Sequence, residues 1–278
     1  MATAKLAGEA VREDRGGCSF LTFPRLGDPK VLTHFVSTRS GGVSLGKLEG
    51  LNVSFKVGDD PVRVRENREL LSRAVGMDIT SALTLDQVHS DKVVVLRAGD
   101  VPKGGESLGE ADAVITDHKG VTLQVLVADC LPVLFYDPVR RVAGLAHAGW
   151  RGTLSHIAAK ALLAMQEAFG TQPADVKALL GPCIGPCCYE VGQDVKKEFE
   201  GVFPWASEVF ERSLGGAWKL DLASANGRQL IEVGLREVNL IRSGLCTVDH
   251  LDLFYSHRAE ATPQGPTGRL GIFMRLNE

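Results

Sequence analysis

VLVADCLPVLFYDPVRRV at Val125–Val142, running into AGLAHAGWRGT at Ala143–Thr153, is the stretch that decides the fold. Val121–Ala128 and Val133–Tyr136 are β-branched, leucine-rich or aromatic, and read as buried strands. Asp137-Pro138 opens a turn and Val142–Ala146 is a further strand. Gly149-Trp150-Arg151-Gly152-Thr153 then leads into a helix, with Thr153 as its N-cap. Cys130 and His147 therefore fall just beyond strand ends, where an α/β scaffold holds side chains rigidly. A thiol and an imidazole so placed are either a nucleophile with its base or two soft metal ligands. Taken singly, each also reads as ordinary packing: a small core thiol and a satisfied polar neighbour.

Working outward, Val31–Ser37 is a strand that ends in the turn Thr38–Gly42 and exposes Arg39. Asp60–Val75 has helical periodicity with Pro61 near its start. Ala82–Val88 and Lys92–Leu96 are strands flanking the turn QVHSD, Lys103–Glu110 is a flexible loop, and Ala111–Thr116 is a strand. Leu154–Phe169 reads as an amphipathic helix and Val176–Leu180 as a strand. GPCIGPCCY at Gly181–Tyr189 is a rigid loop. A second long helix begins near Ala223, and Leu253–Ser256 and Gly271–Arg275 are late strands. Many strands with about three good helices point to an α+β or mixed α/β fold and away from a regular doubly wound sheet. Residues 1–16 are expected to be a loose N-terminal arm and 17–278 one catalytic domain. Neither G-x-G-x-x-G nor a Walker A sequence occurs, which removes the usual dinucleotide and P-loop sites.

The chain has 278 residues, 44% hydrophobic and 23% charged, with a net charge of −3. That length can bury a substantial core, and the charge gives no reason to expect nucleic acid or an anionic membrane as partner. No apolar run approaches the roughly 20 residues that span a bilayer. The first residues lack the apolar core of a signal peptide. The six cysteines therefore read as free thiols in the cytoplasm.

Three constellations carry chemistry. His89, Cys130 and His147 all lie at polar breaks after apolar runs, and two imidazoles with one thiolate make a three-ligand zinc site that leaves a fourth position open. Without metal the same groups are a Cys–His pair. Cys183, Cys187 and Cys188 lack the second pair of ligands that a closed zinc site supplies, so they read as holding a sharp loop. The Gly149–Thr153 turn, with its helix N-terminus and Arg151, suits an anion such as phosphate, the alternative being a plain capped helix. Arg39 and Arg258 are further anion-contact candidates, with structural salt bridges as the alternative.

TRSGGVS at Thr38–Ser44, QVHS at Gln87–Ser90, ADAVIT at Ala111–Thr116, VADCLPVLFYD at Val127–Asp137, AGLAHAGWRGT at Ala143–Thr153, GPCIGPCCYEVG at Gly181–Gly192 and FYSHR at Phe254–Arg258 together resemble the bacterial family of purine nucleoside phosphorylase or polyphenol oxidase ("laccase domain") proteins. Some members are also called peptidoglycan editing factors. The resemblance implies a layered α/β/β/α sandwich with mixed sheets, like that of toxin deamidases that use a Cys–His pair. It also implies zinc at His89, Cys130 and His147, phosphorolysis of adenosine, inosine and methylthioadenosine, and deamination of adenosine. The expected partners are thus a nucleoside and phosphate, bound to a monomer. In this reading Arg151, Arg39 and the Gly149–Thr153 turn neutralise phosphate as it attacks the anomeric carbon. Asp129, chosen on adjacency alone, moves protons. A copper-dependent polyphenol oxidase is a rival, although the seven histidines include no H-x-H pair of the multicopper type. A protein that binds or edits a cell-wall precursor is the other.

Overall fold

The computed structural model describes residues 2–6, 9–102, 105–213, 215–261 and 265–278. Its frame is two six-stranded sheets packed face to face. In spatial order the first holds Ala2–Lys5, Val11–Arg15, Cys18–Thr22, Leu32–Ser37, Leu270–Leu276 and Leu123–Val127, antiparallel throughout. The second runs Leu240–Arg242, Lys177–Leu180, Leu131–Asp137, Val142–Ala148, Ala113–Thr116 and Val93–Leu96. Its two outer pairs are parallel and its inner pairs antiparallel, so it is a mixed sheet.

The period-2 alternation of side chains sorts the strand residues into layers. Leu134, Tyr136, Ala143 and Leu145 on the second sheet meet Val36, Val125, Val127, Ile272 and Met274 on the first. On the outer face of the second sheet, Leu131, Val133, Phe135 and Ala146 pack against helices α3 (Ile157–Phe169) and α5 (Leu222–Glu232). On the outer face of the first, Phe20, Phe35 and Phe273 pack against α1 (Pro61–Val75) through Leu71 and Ala74. The layers are therefore helix, sheet, sheet, helix, the expected mixed α/β sandwich. The α1 boundaries follow from local chemistry: Asp60 accepts the Val62 N–H at the N-cap, Pro61 begins the helix, and Gly76 at φ 69° ends it.

Several expectations need correction. The arm over residues 1–16 carries two strands, Ala2–Lys5 and Val11–Arg15, that extend the edge of the first sheet. Charge hid them: VREDR is held by the ion pairs Arg12–Asp14 (3.1 Å) and Arg15–Glu13, and edge strands tolerate charge well. Of the expected loop Lys103–Glu110, residues 103–104 lie outside the described residues and Ser107–Glu110 forms a strand parallel to Thr84–Asp86. Leu253–Ser256 is fully buried yet joins no strand among the described residues. The expected helix Leu154–Phe169 is broken: α2 (Trp150–Leu154) ends before His156, which turns left-handed at φ 63°, and α3 starts anew. Gly149, not Thr153, occupies the N-cap of α2. A further helix, α4 (Gln193–Val202), buries Val195 and Phe199.

Candidate metal centre

The two sheets exchange the chain at Ala128–Cys130. Leu123–Val127 belongs to the first sheet and Leu131–Asp137 to the second, so Cys130 sits on the crossover itself. Asp129 makes the turn at φ 85°. Leu131 pairs with Ala148 and Pro132 with His147, which places Cys130 beside the end of the Val142–Ala148 strand. Parity on that strand sends His147 toward the intersheet side, with Ala143 and Leu145. His89 arrives from the turn after Thr84–Asp86, itself left-handed at φ 60°.

These three side chains converge. One ligand atom from each of His89, Cys130 and His147 lies within 4.8 Å of the others. Cys130 Sγ is 3.8 Å from His89 Nε2, and the two imidazole rings are 4.8 Å apart, edge to face. A tetrahedral zinc ion would set such S and N donors about 3.5 Å apart, so the donor set fits that ion.

Asp112, which sequence reasoning passed over, organises the site. It is fully buried. Its Oδ1 lies 2.8 Å from His147 Nδ1 and accepts the His89 N–H at 3.1 Å. Its Oδ2 accepts the Val88 and Ser90 N–H groups at 3.3 and 2.5 Å and the Ser90 hydroxyl at 2.8 Å. One carboxylate thus fixes the His89 turn and orients the His147 ring, leaving His147 Nε2 facing the centre.

The electrostatics match. Burial alone would raise the Cys130 thiol, but the His147 charge, with hydrogen bonds from His147 and His89, brings it down to about 6. Burial would lower His147, and the Cys130 thiolate and Asp112 overcome that and raise it to about 9. Burial likewise opposes ionisation of Asp112, yet the His147 and Ser90 donors hold it at about 2. With no metal bound, the ionised form of the centre is a thiolate–imidazolium pair.

Gly149 belongs to this centre for a reason other than anion binding. A Cβ there would lie 2.9 Å from both Cys130 Sγ and His89 Cδ2, so only glycine lets the groups close up.

The remaining expected contacts separate from the centre. Arg39 is clamped by Glu260 at 2.7 Å and the Leu251 carbonyl at 3.1 Å, and it stacks over Tyr255. Thr153 is fully buried, its hydroxyl donating to the Gly149 carbonyl and accepting from Asn226. Arg151 is exposed and stacks on Trp150 at 4.3 Å. Arg258 stacks on Tyr189 and donates to the Glu190 carbonyl at 2.8 Å. Asp129 spends both carboxylate oxygens on structure, accepting from Thr247 Oγ1 at 2.5 Å and the Arg258 N–H at 2.6 Å.

A cleft of about 300 Å³ opens over the centre, a size suited to a small ligand. Its cationic lining comes from Arg269 and Lys56, with Gln87 and His257 alongside the metal donors. Arg269 is half-buried, and its Nη1 donates to the Thr267 and Gly268 carbonyls. Burial lowers its affinity for the proton, and the negative charges of Cys130 and Asp129 partly restore it. Lys56 pairs with Asp86 at the rim. Neither residue lies in the stretches that suggested the anion site.

A mixed α/β sandwich with a His–Cys–His centre where the sheets exchange the chain defines a class, and residues 33–277 match the family described as multi-copper polyphenol oxidoreductase laccase. The chain belongs to that family. Among its relatives, purine nucleoside phosphorylase YlmD of Bacillus subtilis is 35% identical over 246 residues, covering 87% of each chain. A purine nucleoside phosphorylase of Deinococcus radiodurans is 40% identical over 262 residues, covering 94% of each. The crystal structure of YlmD from Geobacillus stearothermophilus superposes with a TM-score of 0.87 at 31% identity, covering 96% of this chain and 99% of that one. No helix among the described residues is long and apolar enough to cross a membrane.

Proposed function

We propose that this protein is a zinc-dependent purine nucleoside phosphorylase whose reaction takes place in the cleft above His89, Cys130 and His147. The observation that carries the reading is the joining of a three-donor soft-metal centre, oriented by Asp112, to a cleft lined by two cations. The names of the relatives supply the substrate class.

A zinc ion held by His89, Cys130 and His147 would supply Lewis-acid polarisation of an oxygen at the open end of the centre. The chain's own groups do the rest. Arg269, with Lys56 at the rim, binds the phosphate dianion and sets it against the ribose anomeric carbon. As the phosphate oxygen bonds to that carbon, the glycosidic bond breaks and its electron pair leaves with the purine. His257, on the cleft lining, can hold the proton that the departing base takes up. In this reading Arg269 and Lys56 take the phosphate contact first assigned to Arg151 and Arg39, which lie outside the cleft lining.

Adenosine deamination at the same centre is the second reaction that the resemblance implies, and Asp129, the carboxylate first assigned to move its protons, is committed to Thr247 and Arg258. Phosphorolysis is the leading reaction because the relatives' names give it. The family description names copper, and one thiolate with two imidazoles binds that metal as well, so the assay has to fix the metal. Metal-defined protein is incubated with adenosine, with and without phosphate, and adenine, ribose-1-phosphate and inosine are separated by chromatography. Phosphate-dependent adenine and ribose-1-phosphate from the zinc form, lost in Cys130→Ala and weakened in KM for phosphate by Arg269→Ala, are expected. Absence of both products from zinc-loaded protein would overturn the reading.

A further inference from the structure

We infer that the protein has a second metal site, a closed structural zinc site made by Cys187, Cys188, Cys246 and Asp249. Local spacing gave no second pair of ligands for the GPCIGPCCY loop, but the fold brings Cys246 and Asp249 from the segment after Leu240–Arg242. The donor atoms of these four residues all lie within 4.8 Å of one another. Asp249 stands between the adjacent cysteines, its Oδ2 accepting from Cys187 Sγ at 3.1 Å and its Oδ1 from Cys188 Sγ at 3.2 Å. Cys246 is buried, and its Sγ accepts the Gly185 N–H at 3.3 Å. Gly185 also makes the room: a Cβ there would sit 3.2 Å from Cys187 Sγ and 3.6 Å from Cys246 Sγ. Cys183 takes no part, being buried and joined to Cys246 only through a backbone bridge.

The chemistry selects the ion. Three thiolates and one carboxylate, with no position reserved for substrate, are the donor set of a four-coordinate structural zinc site. Donors this crowded suit one ion and leave no room for a polynuclear iron–sulfur cage. A disulfide would use two of the sulfurs and give no role to the carboxylate that both adjacent thiols address. The site lies outside the catalytic cleft. Binding would release the thiol protons to solvent and tie the Gly181–Tyr189 loop to the Leu245–Asp249 segment. That clasp braces Asp129, whose carbonyl accepts the Ile184 N–H at 2.9 Å and whose side chain accepts from Thr247. The second ion would thus stiffen the crossover that carries Cys130.

The test uses full-length protein purified reduced and without oxygen, in a Cys130→Ser background that removes the only thiolate of the first centre. Cobalt is added and thiolate-to-metal charge-transfer absorption is recorded. The expected result is a strong band that one equivalent of zinc abolishes, that disappears in Cys187→Ser with Cys246→Ser, and whose cobalt affinity falls by more than about tenfold in Asp249→Asn. The exposed Asp249 change keeps the test decisive if the cysteine pair fails to fold. No band in the Cys130→Ser protein, a band indifferent to these changes, or an intact mass short by the two hydrogens of a disulfide would overturn the assignment.

Discussion

Replacing Asp112 with Asn keeps the side-chain shape and removes a charge, and its effect follows from which donors the amide can satisfy. Oδ2 now accepts from three donors, the Val88 N–H, the Ser90 N–H and the Ser90 hydroxyl. Oδ1 accepts the His89 N–H and faces His147 Nδ1. The amide oxygen will take the three-donor side, because the reverse placement strands two backbone N–H groups at about 1–3 kcal/mol each. The amide NH2 then points at His147 Nδ1 and forces that nitrogen to accept. His147 must carry its proton on Nε2, the nitrogen needed for metal. Loss of an outer partner typically costs 10–100-fold in metal affinity, and the wrong tautomer places this case near 100-fold, about 2.7 kcal/mol. Zinc affinity is measured by competition with a chromophoric chelator, and the His147 tautomer is read from its ring nitrogen shifts. A folded Asp112→Asn protein that binds zinc as tightly as wild type would refute the assignment of Asp112 as the organiser of the centre.

Three more outcomes are expected. Gly149→Ala puts a methyl group 2.9 Å from Cys130 Sγ and His89 Cδ2, so zinc stoichiometry should fall while folding stability, read by denaturant titration, drops by only about 1–3 kcal/mol; full metal occupancy would contradict the close-approach argument. In metal-free protein, iodoacetamide should alkylate Cys130 with a midpoint near pH 6, and His147→Ala should move that midpoint upward by removing the largest favourable charge; an unmoved midpoint would dissociate the pair. His34 is buried and burial lowers it to about 4 from 6.5, its Nε2 accepting the Phe23 N–H while Nδ1 has no hydrogen-bond partner among the described residues. Between those pH values the unfolded chain holds a proton that the folded protein refuses, so stability is complete above pH 6.5 and falls by about 3 kcal/mol as pH drops toward 4. Denaturant titrations across that range should show a shallower fall in His34→Gln, and parallel curves would exclude His34 as the cause.

Much of this was legible in the sequence because burial leaves periodic traces. The central strands announce themselves in Val, Leu and Phe, and the three soft donors stand at the breaks after those runs. Charge and distance hid the rest. Val11–Arg15 looks unstructured because an edge strand carries its ion pairs on the surface. Asp112 precedes the apolar AVIT and offers no local sign that five donors converge on it. Arg39 looked available because its partner Glu260 lies 221 residues away, and a fixed salt bridge at that separation leaves no mark in a local window. The glycine signal at Gly149 was genuine, but small size serves a ligand's approach and a thiol's approach equally.

Asp129 shows why adjacency in sequence misleads at such a site. Its φ of 85° is a strained conformation for a residue with a Cβ, and strain of that kind persists only where the surroundings over-determine it. Thr247 and the Arg258 N–H supply that constraint through the carboxylate, and Ile184 does so through the carbonyl. A carboxylate free to shuttle protons would have to release those donors, and the turn that aims Cys130 between two sheets would loosen with it. The residue beside the thiol is therefore a brace, and the carboxylate that tunes the centre comes from the neighbouring strand end at Asp112, which reaches both histidines without bending the crossover.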